Sequence, residues 1–256
     1  LKVRADVKLC DVDKQFYLDY IDWLRCSCKT VWGKPVSPKT AHSYYTTLRT
    51  ALNEAVRENL IASNPWYRLE MTEKIKVPES KRDFLTIEEI KRMMATPFFN
   101  EQVRQAYLFS CFCGLRISDI RKLRWRDLSM SGGQWRVSVV MTKTTHPVYI
   151  PLSSQAVKWL PERGDCTPDG FVFGGLPNEG NLCVNLKSWA EKAGVKKNVT
   201  FHTARHSCAV LLLTLGADIY TVSKILGHRS VRATQVYAKI VDKKKDDAIA
   251  LVDNAF

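Results

Sequence analysis

Apolar residues recur at helical spacing along most of this chain, and that periodicity is the strongest constraint on its fold. Residues 37–60 show it most clearly, since Ala41, Tyr44 and Leu48 lie three or four positions apart and face one side of a helix. Ser37 suits the N-cap of that helix. The sequence therefore predicts a mainly helical protein.

One part of the chain departs from the helical pattern. Residues 134–141 and 147–152 are rich in Val, Trp, Tyr and Ile, and they flank residues 142–146 as two strands flank a hairpin turn. The expected fold class is mainly α with a small antiparallel β-sheet. Helices are also predicted over 16–24, 102–113, 153–160, 181–193, 202–215, 218–226, 231–239 and 243–252.

The charged stretch at residues 73–83 divides the chain. It lacks an apolar period and is predicted to be an exposed linker. After it, Thr86 and Glu89 have the spacing of a capping box, which opens a new helix. We therefore expect a small helical domain over residues 1–72 and a second domain over residues 84–256.

The excess of positive charge indicates the kind of partner. Lys and Arg outnumber Asp and Glu by 39 to 26, which gives a formal net charge of +13. The first 80 residues hold 13 basic and 10 acidic side chains, and the remainder holds 26 and 16. Such a surplus favours a polyanion such as DNA or RNA. A membrane partner is not expected, because the sequence has no apolar run of about 18 residues and no basic amphipathic anchor.

Cysteine spacing and loop motifs bear on cofactors. The eight cysteines include two C-x-C pairs, Cys26/Cys28 and Cys111/Cys113, but not the paired spacing of most zinc sites. Free thiols in a reducing cytoplasm are expected. The sequence also has no Walker-type phosphate loop and no carboxylate cluster for a two-metal site. We therefore expect no cofactor, neither ATP nor metal.

Two short motifs place charged residues where helix packing does not need them. GLRISD puts Arg116 directly after a glycine turn. HTARH begins at His202 and carries Arg205 three positions later, so that both side chains lie on one helical face. His206 ends this motif, and we interpret it as a core residue that points elsewhere on the helix.

Three further residues complete a set that resembles the tyrosine recombinase (phage integrase) family. Lys143 lies in the predicted hairpin turn, LGHRS contains His228, and Tyr237 follows nine residues later. The order and spacing of these motifs resemble those of the family over residues 84–240. The helical region before them is similar, more loosely, to the family's core-binding domain. The segment around Lys143 is most similar to integrases of bacterial conjugative transposons.

The resemblance implies a site-specific DNA recombinase or integrase with a defined phosphate chemistry. Arg116 and Arg205 would clamp the scissile phosphate, because guanidinium groups are planar and stay protonated. Tyr237 would attack the phosphorus and form a covalent 3′-phosphotyrosyl link without ATP or metal. That link would conserve the energy of the broken bond for rejoining.

The same resemblance implies roles for four supporting residues. His202 would be the base for the phenol of Tyr237, because a phenol with its ordinary pKa of about 10 is mostly protonated at neutral pH. Lys143 would protonate the leaving 5′-hydroxyl, and His228 would donate a hydrogen bond to the phosphate. Asp119 matches the family's acidic position and would orient an active-site Arg or His.

Partners and location follow from the resemblance as well. Double-stranded DNA would lie between the two domains, and four protomers would assemble on two paired sites. Residues 241–256, the C-terminal tail, would dock on a neighbouring protomer, and an accessory DNA-bending protein would be a further partner. Because the resemblance to the family begins with the core-binding region, we expect either a truncated integrase or a simpler Xer-like recombinase. The expected location is the bacterial cytoplasm, at the nucleoid when the protein is on DNA.

Two alternative functions stay open at this point. A type IB topoisomerase uses a similar set of Arg, Lys, His and Tyr residues but relaxes supercoils as a monomer, and the GLRISD and LGH motifs favour a recombinase over it. A catalytically idle DNA-binding protein is the other alternative, and the presence of Tyr237 argues against it.

Overall fold

The chain divides into two compact units, residues 1–81 and 82–256, and each has its own apolar core. The computed structural model describes residues 7–77, 82–143 and 147–238 of the chain. Both units are built mainly from helices.

Two helices form most of the first unit, α1 (Lys14–Asp22) and α2 (Pro38–Arg57). The predicted cap of the second helix is confirmed, because Oγ of Ser37 accepts the main-chain N–H of Thr40 at 3.1 Å. Shorter helical turns complete the unit at Leu9–Asp11, Trp23–Ser27 and Pro65–Arg68. The buried core comes from both helices and the segments beside them: Tyr17, Ile21, Leu24, Tyr45, Leu52 and Leu69.

Eight helices are found in the described part of the second unit. They are α3 (Ile87–Ala95), α4 (Glu101–Cys113), α5 (Ile117–Ile120), α6 (Ser154–Val157), α7 (Glu179–Lys192), α8 (Phe201–Thr214), α9 (Ile219–Ile225) and α10 (Arg232–Ala238). The predicted capping box is confirmed: Thr86 and Glu89 each accept the other's main-chain N–H, at 3.2 and 2.8 Å. The short helix α5 is not among the predicted helices, because four residues are too few to show a period. The helix predicted over 243–252 lies outside the described residues.

The sheet has three antiparallel strands in the order β1 (Leu128–Ser131), β2 (Gln134–Val140) and β3 (Pro147–Pro151). The two predicted strands are present, and β1 is an addition. The sequence of β1 did not reveal it, because Leu128 alone of its four residues is buried and leaves no alternation to detect. Leu128 pairs with Val137, which in turn pairs with Ile150 across the sheet. The predicted fold class, mainly α with a small antiparallel sheet, is confirmed.

The helical core of the second unit carries buried thiols rather than disulfides. Cys111, Cys113 and Cys208 are almost completely buried in α4 and α8, and all eight cysteines of the chain are free, as expected. Such cysteines pack as small apolar residues. Within the described ranges, no helix is both long enough and apolar enough to cross a membrane.

Candidate active site

Arg116 is placed by the turn that joins α4 to α5. Helix α4 ends at Gly114, whose φ of +75° lies in the left-handed region, and a Cβ at this position would lie 2.7 Å from Cδ2 of Leu226. Any side chain here would be both strained and crowded. Arg116 then becomes the N-cap residue of α5, and its Nη1 donates to Sδ of Met141 at 3.1 Å.

Asp119 connects α5 to the turn between β2 and β3. Its side chain is 1 % exposed, and Oδ1 accepts the main-chain N–H of Thr142 at 2.9 Å. Its Oδ2 lies 4.0 Å from Nη1 of Arg116 and has no hydrogen-bond partner among the described residues. Asp119 therefore holds the start of the turn that carries Lys143 and places a carboxylate oxygen beside the Arg116 guanidinium.

Arg205 is anchored by the main chain at two points. Nη1 donates to the carbonyl oxygen of Gly114 at 2.7 Å, and Nη2 donates to that of Leu226 at 2.5 Å. Burial, followed by the charge of Arg116, lowers the pKa of Arg205 to about 10. The guanidinium therefore stays charged at neutral pH, and its orientation is fixed before any ligand arrives.

His202 lies at the start of α8, where several positive charges act on its imidazole. Its pKa is lowered from the usual value, first by partial burial and then by the charges of Arg205, Arg116 and Lys143. Both His202 and Lys143 are exposed, whereas Arg205 is 4 % exposed. The fold thus brings together cations from α5, α8 and the β2–β3 turn, at a position that solvent can reach.

His228 lies next to the same cations. Gly227 before it has a φ of +59°, and a Cβ there would lie 2.6 Å from Sδ of Met141. The Nδ1 atom of His228 shares a hydrogen bond of 2.8 Å with Oγ1 of Thr234. Burial, then the charges of Arg205 and Arg116, lower the pKa of His228 to about 4. Its imidazole is therefore neutral at pH 7.

Tyr237 is buried rather than facing solvent. It lies in α10, is 1 % exposed, and packs in an apolar cluster with Leu213, Val222 and Leu226. Among the residues the structure describes, no hydrogen bond joins its hydroxyl to the two site arginines or to His202. The Oη atom of Tyr237 instead shares a hydrogen bond of 2.6 Å with Nδ1 of His206.

Known families account for nearly the whole chain. Residues 83–244 match the model of the phage integrase family, and residues 2–76 match the phage integrase SAM-like domain. The chain belongs to the phage integrase family. The predicted family is thereby confirmed, whereas the role of each site residue stays a prediction.

This phage integrase is similar to curated tyrosine recombinases and to solved integrase structures. It is 28 % identical over 255 residues to one from Pseudothermotoga lettingae, covering 96 % of this chain and 85 % of that protein. It is 31 % identical over 234 residues to one from Thermosipho africanus, covering 86 % and 78 %. Its fold is similar to that of the Tn1549 transposon integrase in complex with circular intermediate DNA, with a TM-score of 0.63, 19 % identity and coverage of 91 % and 81 %. This comparison shows a shared fold. The closer relationship to integrases of conjugative transposons that the sequence suggested stays a prediction.

Two residues of this phage integrase, His206 and Arg82, contact the Tyr237 hydroxyl although the sequence analysis assigned neither of them to the site. His206 is not a simple core residue: it is half-buried, and its Nδ1 lies 2.6 Å from Oη of Tyr237. Its place one turn after His202 on α8 was a signal that could have revealed it. Arg82 falls in the predicted exposed linker, yet it is half-buried and its Nη1 donates to the same Oη at 3.3 Å. No sequence pattern links Arg82 to Tyr237, because 155 positions separate them.

Proposed function

We propose that this chain is a site-specific DNA recombinase that cleaves and rejoins strands through a covalent 3′-phosphotyrosyl intermediate. The observation that carries the proposal is the proximity of Arg116, Arg205 and Lys143. Arg205 donates to the carbonyl of Gly114, two positions before Arg116, and Asp119 lies between Arg116 and the turn that carries Lys143. Asp119 supplies one negative charge beside these three cations, so a net positive charge remains to attract an anion. A DNA phosphate is the anion that the family and the basic second unit both favour.

The two arginines form the phosphate clamp of the proposed reaction. Arg205 is fixed by two carbonyl groups, and Arg116 extends from the helix start beside it. Charge builds up on the non-bridging oxygens as the phosphorus is attacked, and preorganised donors stabilise that charge without reorganising. His228 is neutral at pH 7 and therefore carries one ring N–H. When its Nδ1 accepts the hydroxyl hydrogen of Thr234, its Nε2–H is the donor to the same phosphate oxygens.

The bond changes of the proposed reaction balance without an external energy source. Oη of Tyr237 attacks the phosphorus, its proton passes to His202, and the bond from phosphorus to the 5′-oxygen breaks. Lys143 supplies a proton to the departing 5′-oxygen. A 5′-hydroxyl from the partner strand then reverses these steps and restores the phosphodiester, so no ATP is consumed.

DNA as the partner is supported by the complexes that similar proteins form. The solved neighbours include a lambda integrase dimer bound to a core site and the Tn1549 integrase with circular intermediate DNA. A tetramer on two paired sites, an accessory DNA-bending protein and a bacterial cytoplasmic location belong to the same proposal. The helical first unit, residues 1–81, would supply the core-binding contacts to the duplex.

Trapping the covalent adduct tests the proposed chemistry. On a nicked suicide substrate the intact chain is expected to form a covalent protein–DNA adduct, and Tyr237→Phe is expected to form none while still binding DNA, because only one hydroxyl is lost. Tyr107→Phe is the matched control, since the Tyr107 hydroxyl is also buried but has no hydrogen-bond partner in the described structure. Adduct formation should be unchanged in that control.

Other outcomes of this experiment would support the alternative functions. Adduct persisting in Tyr237→Phe would move the nucleophile to another residue. Rapid relaxation of supercoiled DNA that lacks any paired site would favour a topoisomerase. DNA binding by the intact chain without adduct on any substrate would favour a non-catalytic binding protein.

A further inference from the structure

The hydroxyl of Tyr237 is held by two side chains that the proposed reaction does not use. Nδ1 of His206 lies 2.6 Å from Oη, and Nη1 of Arg82 donates to the same oxygen at 3.3 Å. The His206 ring also packs on the phenol with the two ring centroids 5.5 Å apart, and the Arg82 guanidinium lies 5.7 Å from the phenol centroid. These contacts engage both the ring and the hydroxyl.

The two partners of the hydroxyl have complementary hydrogen-bonding capacity. Burial, then the charge of Arg82, lowers the pKa of His206 to about 4, so its imidazole is neutral at pH 7 and Nδ1 can accept the phenolic hydrogen. A guanidinium can only donate, so Arg82 bonds to a lone pair of the same oxygen. The hydroxyl is thus satisfied as donor and as acceptor at once. Among the described residues no hydrogen bond joins it to Arg116, Arg205 or His202, although the phenol lies near enough to Arg205 to raise the pKa of that guanidinium.

The burial of Tyr237 keeps its hydroxyl away from any DNA phosphate. A nucleophile must touch the phosphorus of a bulky duplex, but this side chain is 1 % exposed and is covered by Leu213 and Val222. His202, beside which the phosphate is proposed to bind, is exposed. The phenol must therefore leave its enclosure, and break both hydrogen bonds, before it can attack DNA.

We propose that His206 and Arg82 are positioning residues that hold the hydroxyl of Tyr237 in a closed, non-attacking position until DNA is engaged. The inference rests on the proposed function, because it takes Tyr237 as the nucleophile. It gives these two residues an inhibitory effect on the first chemical step. His206 thereby differs from His202, the proposed base, although both lie on α8 one turn apart with ring centroids separated by 6.1 Å.

Chemical modification of the DNA-free chain tests the closed position without using the reaction. Tetranitromethane nitrates accessible tyrosines, and peptide mass spectrometry reports each site separately. Tyr149 and Tyr220, which are 71 % and 58 % exposed, are internal references in the same sample. Nitration of Tyr237 is expected to be slow in the native chain and about fivefold faster in His206→Ala and in Arg82→Gln, the factor expected from one lost hydrogen bond.

Two further variants distinguish the proposed loss of hydrogen bonds to the Tyr237 hydroxyl from a general loss of structure. His206→Asn places an amide near the former Nδ1 and is expected to return Tyr237 nitration towards the native rate. Arg57→Gln removes an exposed arginine from the first unit and should leave Tyr237 nitration unchanged. Unchanged nitration of Tyr237 in both His206→Ala and Arg82→Gln would overturn the proposal.

The single-turnover rate of adduct formation is the second readout. Loss of one hydrogen bond to the Tyr237 hydroxyl is expected to raise this rate on a suicide substrate about fivefold in His206→Ala and in Arg82→Gln. A slower rate in His206→Ala would instead make His206 a base or an orienting residue of the active state, and would overturn the inhibitory role. Failure of the native chain to form any adduct would count against the proposed function. The nitration result would still test whether His206 and Arg82 keep Tyr237 in its closed position.

Discussion

At the scale of single residues, Arg205 shows how the candidate site is built. Two of its donors bond to the carbonyl groups of Gly114 and Leu226, one before and one after Arg205 in the sequence. An arginine has five N–H donors in a rigid plane, so others stay available for a phosphate. A lysine at this position has three donors on one nitrogen and cannot reproduce that arrangement.

Arg205→Lys is therefore expected to lower the single-turnover rate of adduct formation by about 10²- to 10³-fold, the usual effect of losing one preorganised donor to a transition-state anion. DNA binding should weaken little, because the positive charge is kept. Arg57→Lys, an exposed position in the first unit, is the control. An adduct rate within about threefold of native would show that Arg205 does not clamp the phosphate.

The histidines give the protein a defined pH dependence of stability. The pKa of both His206 and His228 is lowered to about 4 in the folded chain, from an ordinary value near 6.5. Between these two values the unfolded chain binds more protons than the folded chain, so the free energy of unfolding falls as pH falls from about 6.5 to about 4. Each imidazole contributes a slope of up to about 1.4 kcal/mol per pH unit.

Urea unfolding of the native chain and of His206→Asn across that pH range measures this contribution. The free energy of unfolding is expected to depend less steeply on pH in His206→Asn, because the variant lacks one of the imidazoles whose pKa is lowered by folding. Equal slopes in the two proteins would contradict the buried, neutral state of His206. Above about pH 7 both imidazoles are neutral in either state, so no such dependence is expected there.

At the scale of elements, the turn between α4 and α5 positions both arginines. Its Gly114 combines a φ of +75° with a close approach to Leu226, and its carbonyl accepts a hydrogen bond from Arg205. Gly132, in the turn between β1 and β2, has a φ of +59°, but a Cβ added there would meet no described atom within 4 Å. Both glycines therefore have a left-handed backbone, but only at Gly114 would an added Cβ clash with a neighbouring side chain.

Gly132→Ala is expected to cost about 1 kcal/mol of stability, the penalty of a left-handed backbone with a side chain. Gly114→Ala is expected to cost about 1–3 kcal/mol more, because the added methyl must displace Leu226 and with it a carbonyl that anchors Arg205. Thermal or urea unfolding gives the stabilities, and Gly114→Ala should also form adduct more slowly. Equal destabilisation by both substitutions would show that the close approach is unimportant.

At the scale of the whole molecule, charge is the property that governs encounter with DNA. Of the 39 basic and 26 acidic side chains, 26 and 16 lie beyond residue 80, a balance of +10. Phosphate contacts release condensed counterions, so affinity that depends on them falls steeply with salt. A protein of this size that covers a duplex site is expected to make about six or more such contacts.

Binding of the full chain to duplex DNA is accordingly expected to weaken about a thousandfold when salt rises from about 50 to about 200 mM. Fluorescence anisotropy with labelled duplex measures the slope. Replacing two exposed second-unit lysines should reduce that slope, whereas replacing exposed glutamines should not. A flat salt dependence would mean that the positive balance of the second unit does not face DNA.

Sequence alone was enough to predict most helices, the hairpin and the order of the site motifs, because these depend on neighbours within a few positions. Ser37, Thr86 and the apolar period of α2 act locally, and the structure reproduces them. The family motifs likewise indicated which residues form the candidate site. Short elements such as α5 and β1 were missed, because four residues carry too little pattern.

The position of the Tyr237 hydroxyl and the anchoring of Arg205 became known only from the packed chain. The contacts of Tyr237 with His206 and Arg82 span 31 and 155 positions, and those of Arg205 with Gly114 and Leu226 span 91 and 21. Contacts of this kind depend on how helices pack around a common core, and no local spacing encodes that packing. The motifs of this integrase thus indicated its family and its candidate site residues, whereas the contacts that enclose the Tyr237 hydroxyl arise from the fold.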